Sequence, residues 1–315
     1  MLTLEDIQAA LQSIRDKVHL TPVFTSTAIG REIDATVYLK AELFQKTGSF
    51  KPRGALNKIQ KLSKEQKSKG LITISAGNHA QGLAYAASQY GVACTVVMPA
   101  NASPTKVRAA QGYGATIVLH GDVGGAFDYM FQLQKERNLT FVHPFDDPDV
   151  MAGQGTVGLE IVEQIPEFHT IVVGIGGGGL ISGIATAIKA LRPHVKICGV
   201  EPIGAAKMRR SLDAGHAIRL DRVDTIADGL APPMAGEHTY PIVKALVDEV
   251  VTVSDDEIVV AMKRLMSRAK LTVEPAGAAA VGALLSGALK VPRGSKVVAV
   301  VSGGNVDFDE LKQLL

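Results

Sequence analysis

Residues 174–180, Gly174-Ile175-Gly176-Gly177-Gly178-Gly179-Leu180, present a run of backbone N–H groups with no side chains in the way, just before an apolar helix. Such a loop suits a phosphate, because the unpaired donors of a helix start and the helix dipole both favour an anion. The same residues satisfy G-x-G-x-x-G between a strand and a helix, and Glu201 ends the next strand. That is also the layout of a dinucleotide site, with Glu201 on the ribose. An NAD site gives no role to Thr47-Gly48-Ser49-Phe50-Lys51-Pro52-Arg53-Gly54-Ala55. There a lysine follows an aromatic residue and precedes Pro52, which can open a helix at its first position. Alone, Lys51 reads as a surface lysine; beside a phosphate loop it can serve as a Schiff-base lysine. Two more loops follow apolar runs: Ser75-Ala76-Gly77-Asn78-His79-Ala80-Gln81-Gly82 and Ser302-Gly303-Gly304-Asn305. In open parallel sheets ligands bind at the carboxyl ends of strands, which is where all three loops are expected.

The elements that must position these loops are short apolar strands alternating with helices. Strands are predicted near Val37–Ala41 and at Leu71–Ile74, Ala93–Val97, Ala115–Leu119, Thr170–Val173, Val195–Val200 and Lys296–Val301. Helices are predicted after Asn78 and after Pro104, through Phe127–Arg137, and over Leu180–Leu191. At the N-terminus, Thr3 and Asp6 have capping-box-like spacing, and Leu4, Ile7, Leu11 and Ile14 fall on one face. A further helix starts at Ser254, with Glu257 three residues later, and buries Ile258, Met262, Leu265 and Ala269. This alternation predicts an α/β fold with two parallel-sheet lobes and helices on both faces. The segment His143-Pro144-Phe145-Asp146-Asp147-Pro148 is the expected crossing between lobes.

The bulk numbers narrow the function classes. At 315 residues, with 46% apolar and 20% charged, the chain is sized for two ordinary globular domains. A net charge of +2 calls for no acidic partner, so no nucleic acid is expected. The run Lys207-Met208-Arg209-Arg210, followed by Asp213, reads as a solvated helix face. Two cysteines, Cys94 and Cys198, sit in apolar strand-like runs and read as small buried thiols. No run is long and apolar enough to span a membrane, and no basic segment precedes an apolar stretch at the N-terminus. The expected compartment is the cytoplasm.

Taken together, Ser49–Ala55, Ser75–Gly82, the glycine loop and Ser302–Asn305 resemble the signatures of the fold-type II pyridoxal-phosphate enzymes, whose architecture is that of the tryptophan synthase β subunit. The resemblance runs from Thr21-Pro22 to Asn305 and is to the threonine dehydratase and serine racemase branch. It implies a lyase that converts L-threonine- or L-serine-type 3-hydroxy amino acids to 2-oxo acids and ammonia. A serine racemase, or a dehydratase for 3-hydroxyaspartate or 3-phenylserine, is the alternative. It further implies pyridoxal 5'-phosphate as cofactor, held as a Schiff base by Lys51, which later moves the Cα proton. Phe50 lies against the cofactor, Gly176, Gly177, Gly178, Gly179 and Leu180 take its phosphate, and Asn78 meets its phenolic oxygen. Ser302 meets the pyridine nitrogen and Gly229 lines the ring edge. Ser75, Ala76, Gly77, Asn78 and His79 bind the substrate carboxylate. Glu274 is a further candidate, although Val273–Ala280 reads equally as helix packing. The implied division is a large cofactor-binding domain, 1–50 with 147–315, and a small domain, 51–146, in a homodimer.

The sequence also departs from its relatives. Racemases carry serine where Ala76 stands and asparagine where Phe145 stands, which favours one-faced elimination. Relatives place a divalent ion between residues matching Glu201, the Ala205 carbonyl and an acidic residue matching Lys207. A lysine there puts the ion in doubt and leaves two readings: an ammonium in the same pocket, or a side chain turned to solvent with Arg209 and Arg210. Leu230-Ala231-Pro232-Pro233 differs near the substrate. The chain stops soon after Asn305, so the regulatory domain of biosynthetic threonine dehydratases is expected to be absent.

Overall fold

In the computed structural model, which describes residues 2–315, the apolar runs gather into two sheets. In chain order the strands are β1 (Val23–Thr25), β2 (Thr36–Ala41), β3 (Leu71–Ile74), β4 (Cys94–Met98), β5 (Thr116–Leu119), β6 (Thr140–Phe141), β7 (Thr170–Gly174), β8 (Lys196–Pro202), β9 (Glu249–Val253) and β10 (Lys296–Val301). The larger sheet runs β1-β2-β10-β7-β8-β9 and the smaller β5-β4-β3-β6. Every pairing is parallel except β1 with β2. The large sheet is therefore mixed rather than purely parallel. Its exception is a short, largely exposed edge strand following Pro22, a position where an antiparallel partner costs no helical crossover. Continuous burial of β7, and of β10 beyond its first residue, accounts for their unbroken Val/Ile/Ala runs.

Helix ends follow local chemistry. Thr3 and Asp6 form a capping box, and so do Ser254 and Glu257. The first helix buries Ile7, Ala10 and Ile14, while Leu4 and Leu11 are only half-buried. Ile7 sits over Gly155, where a β-carbon would come within 2.8 Å of its Cδ1, so the contact stripe is narrower than the apolar one. The helix from Asp255 ends at Arg264 and widens into a π-type turn over Leu265–Ala269, which leaves Ala269 half-buried instead of in the core. Cys94 and Cys198 are free buried thiols in β4 and β8, and burial raises both to about 12. Among the described residues, no helix is long and apolar enough to cross a membrane.

The helix Lys51–Lys61 joins the two lobes. Its Ala55, Leu56 and Ile59 pack into the core beside β3 and β4. On its other side it meets the helix Pro148–Gln164 with almost no gap, since a β-carbon on Gly153 would lie 2.6 Å from the Gly54 Cα. Below its first turn lies a buried charge cluster. The Arg53 guanidinium donates to Glu42 at 2.8 and 2.9 Å and to Glu160 at 2.6 and 2.9 Å. Lys40 also donates to Glu160, and to the Thr21 carbonyl at 2.9 Å. Arg53, Lys40 and Glu42 are fully buried, so this network fixes where the helix beginning at Lys51 can stand.

Candidate active site

The residues singled out by sequence meet in one cavity of about 1520 Å³, where the carboxyl ends of β3, β7 and β10 converge. Phe50, Lys51, the loop 75–79, the loop 176–180, Gly229 and Ser302 all line it.

Lys51 opens its helix, with Pro52 at the second position rather than the first. The Phe50 N–H donates to the Ser302 carbonyl at 3.2 Å, tying this turn to the end of β10. The Lys51 amine donates to the Pro144 carbonyl at 3.0 Å. Burial pulls it down to about 8, against the attraction of Glu274. A half-buried amine this easily deprotonated is a nucleophile near neutral pH.

Two anion sockets flank it. In the first, the N–H groups of Gly176 to Leu180 have no protein acceptor among the described residues, and they stand at the start of the helix Gly179–Leu191. Gly178 is left-handed (φ 98°), and the Phe145 ring covers Gly177 so closely that a β-carbon there would overlap it at 2.2 Å. Thr239 Oγ1 donates to the Gly177 carbonyl at 2.7 Å. Asp146 in turn accepts the N–H groups of Glu237, His238 and Thr239 at 2.9, 2.9 and 3.1 Å. Sequence reading gave Asp146 and Thr239 no part in holding the loop. Asp146 was visible only as a member of the crossing segment.

The second socket opens the helix Asn78–Gln89, where the N–H groups of Ala76, Asn78 and His79 lack protein acceptors among the described residues. Gly77 donates to Ser75 Oγ at 3.1 Å, which shapes the turn. His79 contributes only its backbone. Its buried ring makes a 3.1 Å hydrogen bond with Thr73, and burial holds it well below the ordinary histidine range. The Asn78 amide donates to Glu274 at 2.6 Å and accepts from Asn305 at 2.8 Å, with one N–H left for a ligand. Glu274, ambiguous in the sequence, thus faces the cavity, and burial raises its carboxyl to about 7.

Two expectations are corrected. Glu201 cannot hold a ribose, because it is fully buried and accepts the N–H groups of Met208 and Arg209 at 2.9 and 2.8 Å. That removes the dinucleotide layout. The run 207–210 is not a solvated face throughout: Lys207 and Met208 are buried, and only Arg209 and Arg210 reach solvent. The helix Lys207–Ala214 points its first turn inward, against the end of β8 and the glycine loop.

A half-buried amine between two sets of unpaired N–H donors fits an aldehyde carrying a phosphate on one side and an amino-acid carboxylate on the other. The donor set therefore fits pyridoxal phosphate. Comparison with known proteins agrees. Residues 14–303 match the family model described as pyridoxal-phosphate dependent enzyme. An L-threonine ammonia-lyase of Thermotoga maritima is 43% identical over all of this chain and 78% of its own. The structure of maize serine racemase superposes with a TM-score of 0.95 at 42% identity, covering 99% of this chain and 96% of that one. A threonine deaminase structure from T.th. gives 0.92 at 42% identity, covering 97% and 99%. The chain belongs to the pyridoxal-phosphate-dependent enzyme family, with the fold-type II architecture.

Proposed function

We propose that the protein is a dehydratase (ammonia-lyase) that converts L-threonine- or L-serine-type 3-hydroxy amino acids to 2-oxo acids and ammonia. The observation that carries this reading is the half-buried Lys51 amine, lowered to about 8, between two sockets of unpaired N–H donors. When bound, pyridoxal phosphate supplies an electron-withdrawing ring conjugated to the substrate nitrogen. Gly176 to Leu180 hold its phosphate, with Phe145 as their cover. The Ala76, Asn78 and His79 N–H groups orient the substrate carboxylate. Lys51 would hold the cofactor through its Nζ, and the same Nζ, freed when substrate is bound, would take the Cα proton. Ser302 offers the ring nitrogen a hydroxyl rather than a carboxylate. Such a hydroxyl would not keep the ring nitrogen protonated, so the bound cofactor would supply a weaker electron sink and suit elimination. Elimination releases water, and hydrolysis of the product consumes water and releases ammonia.

Backbone likeness to a racemase and to a threonine deaminase is nearly equal, so side chains must decide between the two reactions. Ala76 lines the cavity without a proton to return to the opposite face of the substrate, which supports elimination. The test is 2-oxo acid release by the holoenzyme from L-threonine, L-serine, 3-hydroxyaspartate and 3-phenylserine, with absorbance before and after borohydride. Release from L-threonine or L-serine by a yellow, borohydride-sensitive protein is expected. No 2-oxo acid from any of the four would overturn the reading.

A further inference from the structure

The divalent-ion site implied by the resemblance does not fit the residues present. Among the described residues, the Glu201 carboxylate is already engaged by two backbone N–H groups, and a lysine amine faces it at 3.3 Å. Mg²⁺ and Ca²⁺ require six or more oxygen ligands. A second cation a few Å from an ammonium in a buried pocket would be repelled.

We propose that the ammonium of Lys207 is a built-in cation that holds the phosphate-binding loop in place, so that cofactor binding needs no metal ion. The side chain is fully buried. Its Nζ donates to the Ile175 carbonyl at 3.0 Å and to the Leu230 carbonyl at 2.7 Å, and Glu201 is its third neighbour. An ammonium has three donors and no acceptor, so these partners saturate it. Their positions give the contact its meaning. Ile175 immediately precedes Gly176, and Leu230 immediately follows Gly229, so one amine joins the segments that line two sides of the cofactor cavity. The two segments already touch, since a β-carbon on Gly176 would lie 2.7 Å from the Gly229 carbonyl oxygen.

Cost argues the same way. Lys207 is the first residue of its helix, the end where a cation is disfavoured. Glu201 offsets that by facing the ammonium while capping the same turn, which has no cap from Ala206. Burial lowers the Lys207 amine and raises the Glu201 carboxyl, and their mutual attraction opposes both shifts. A buried cation is tolerated only with such partners.

The proposal rests on pyridoxal phosphate occupying the cavity, and cofactor affinity tests it without reference to the substrate. Apoenzyme would be titrated with pyridoxal phosphate by absorbance, with and without EDTA, Mg²⁺ and Ca²⁺, and bound metal counted by elemental analysis. The unmodified protein should bind cofactor equally under all these conditions and carry no stoichiometric divalent ion. Lys207→Ala should weaken cofactor binding by roughly tenfold to a hundredfold. K⁺ or NH₄⁺, small enough to enter the space left, should restore it, whereas Lys207→Met should be equally weak and not be rescued. A merely structural lysine would show lowered Tm in both variants with no cation rescue. Normal cofactor affinity in Lys207→Met would overturn the proposal, as would affinity that chelation abolishes and Mg²⁺ restores in the unmodified protein. If neither variant folds, that chelation result decides. Failure of the unmodified apoenzyme to bind cofactor at all would instead sink the functional reading.

Discussion

Gly82 packs directly on Lys51: a β-carbon on the glycine would stand 2.8 Å from the Lys51 Cβ and 3.1 Å from its carbonyl carbon. The contact includes backbone, and Pro52 N also lies at 3.1 Å, so no side-chain rotation relieves it. Glycine at this position thus sets how near the helix Asn78–Gln89 approaches the reactive amine.

Gly82→Ala must therefore displace the start of the helix Lys51–Lys61. A shift near 1 Å at a reacting group costs on the order of a hundredfold in rate. Overpacking itself costs about 1–3 kcal/mol. Turnover of the preferred amino acid is expected to fall about a hundredfold in a protein that still folds. Wild-type turnover in a folded Gly82→Ala protein would show that Lys51 tolerates the displacement.

The lowered Lys51 amine makes a pH prediction for the apoenzyme. Burial favours the neutral amine, so attachment of cofactor should accelerate up to about pH 8 and level off above it. An unperturbed lysine would keep accelerating past about pH 10. The sign for stability follows from linkage. Between about 8 and the ordinary lysine value the unfolded chain binds the extra proton, so apoenzyme stability gains from this group as pH rises through that window. Stopped-flow absorbance at fixed cofactor concentration measures the rate; acceleration that continues past about pH 10 would contradict the lowered-amine assignment.

What was legible in the sequence is what is local. Gly176–Leu180 and Ala76, Asn78 and His79 offer unpaired backbone N–H groups within a few residues of one another, so that feature is written in neighbouring residues. The β3, β7 and β10 runs that present the loops are buried and read as unbroken apolar stretches. The illegible part depends on residues brought together by the fold. Glu274 becomes a site residue only because Asn78, 196 positions away, hydrogen-bonds it. His79 loses its ring to Thr73 for the same reason. For Lys207 the sequence left two readings, an ammonium in the Glu201 pocket or a side chain turned to solvent, and the fold decides by turning Lys207, Met208 and Ser211 inward while Arg210 stays outside.

Arg53, two residues from Lys51, was likewise given no role by its sequence. Removing it leaves Glu42 and Glu160 buried with only Lys40 to balance them. Breaking such a network costs about 3–5 kcal/mol. Burial opposes ionisation of Glu42, but Arg53 overcomes it and holds that carboxyl below the usual range. Arg53→Met is expected to lower the denaturation midpoint strongly. Glu42→Gln with Arg53 intact should cost less, because it removes one buried charge rather than exposing two to each other. Equal, small effects from both in urea unfolding would mean the cluster contributes little.

The last prediction concerns the opposite face of the substrate. Lys51 approaches the cavity from one side, and Ala76, in the turn of the second anion socket, has only a methyl group. With no hydroxyl at that position, a proton removed by Lys51 has no matching donor at Ala76, and the D-isomer should be a trace product. The neighbouring Ser75 hydroxyl accepts the Gly77 N–H at 3.1 Å, which ties it to the shape of the turn. Ala76→Ser adds one oxygen to a half-buried position, a change small enough to leave the loop intact. It should raise D-serine formation from L-serine measurably while 2-oxo acid release falls or holds. Chiral chromatography and a coupled 2-oxo acid assay on the same samples give the ratio directly. D-serine formed by the unmodified enzyme as fast as pyruvate would show that another group protonates that face, and the case for elimination based on Ala76 would fail.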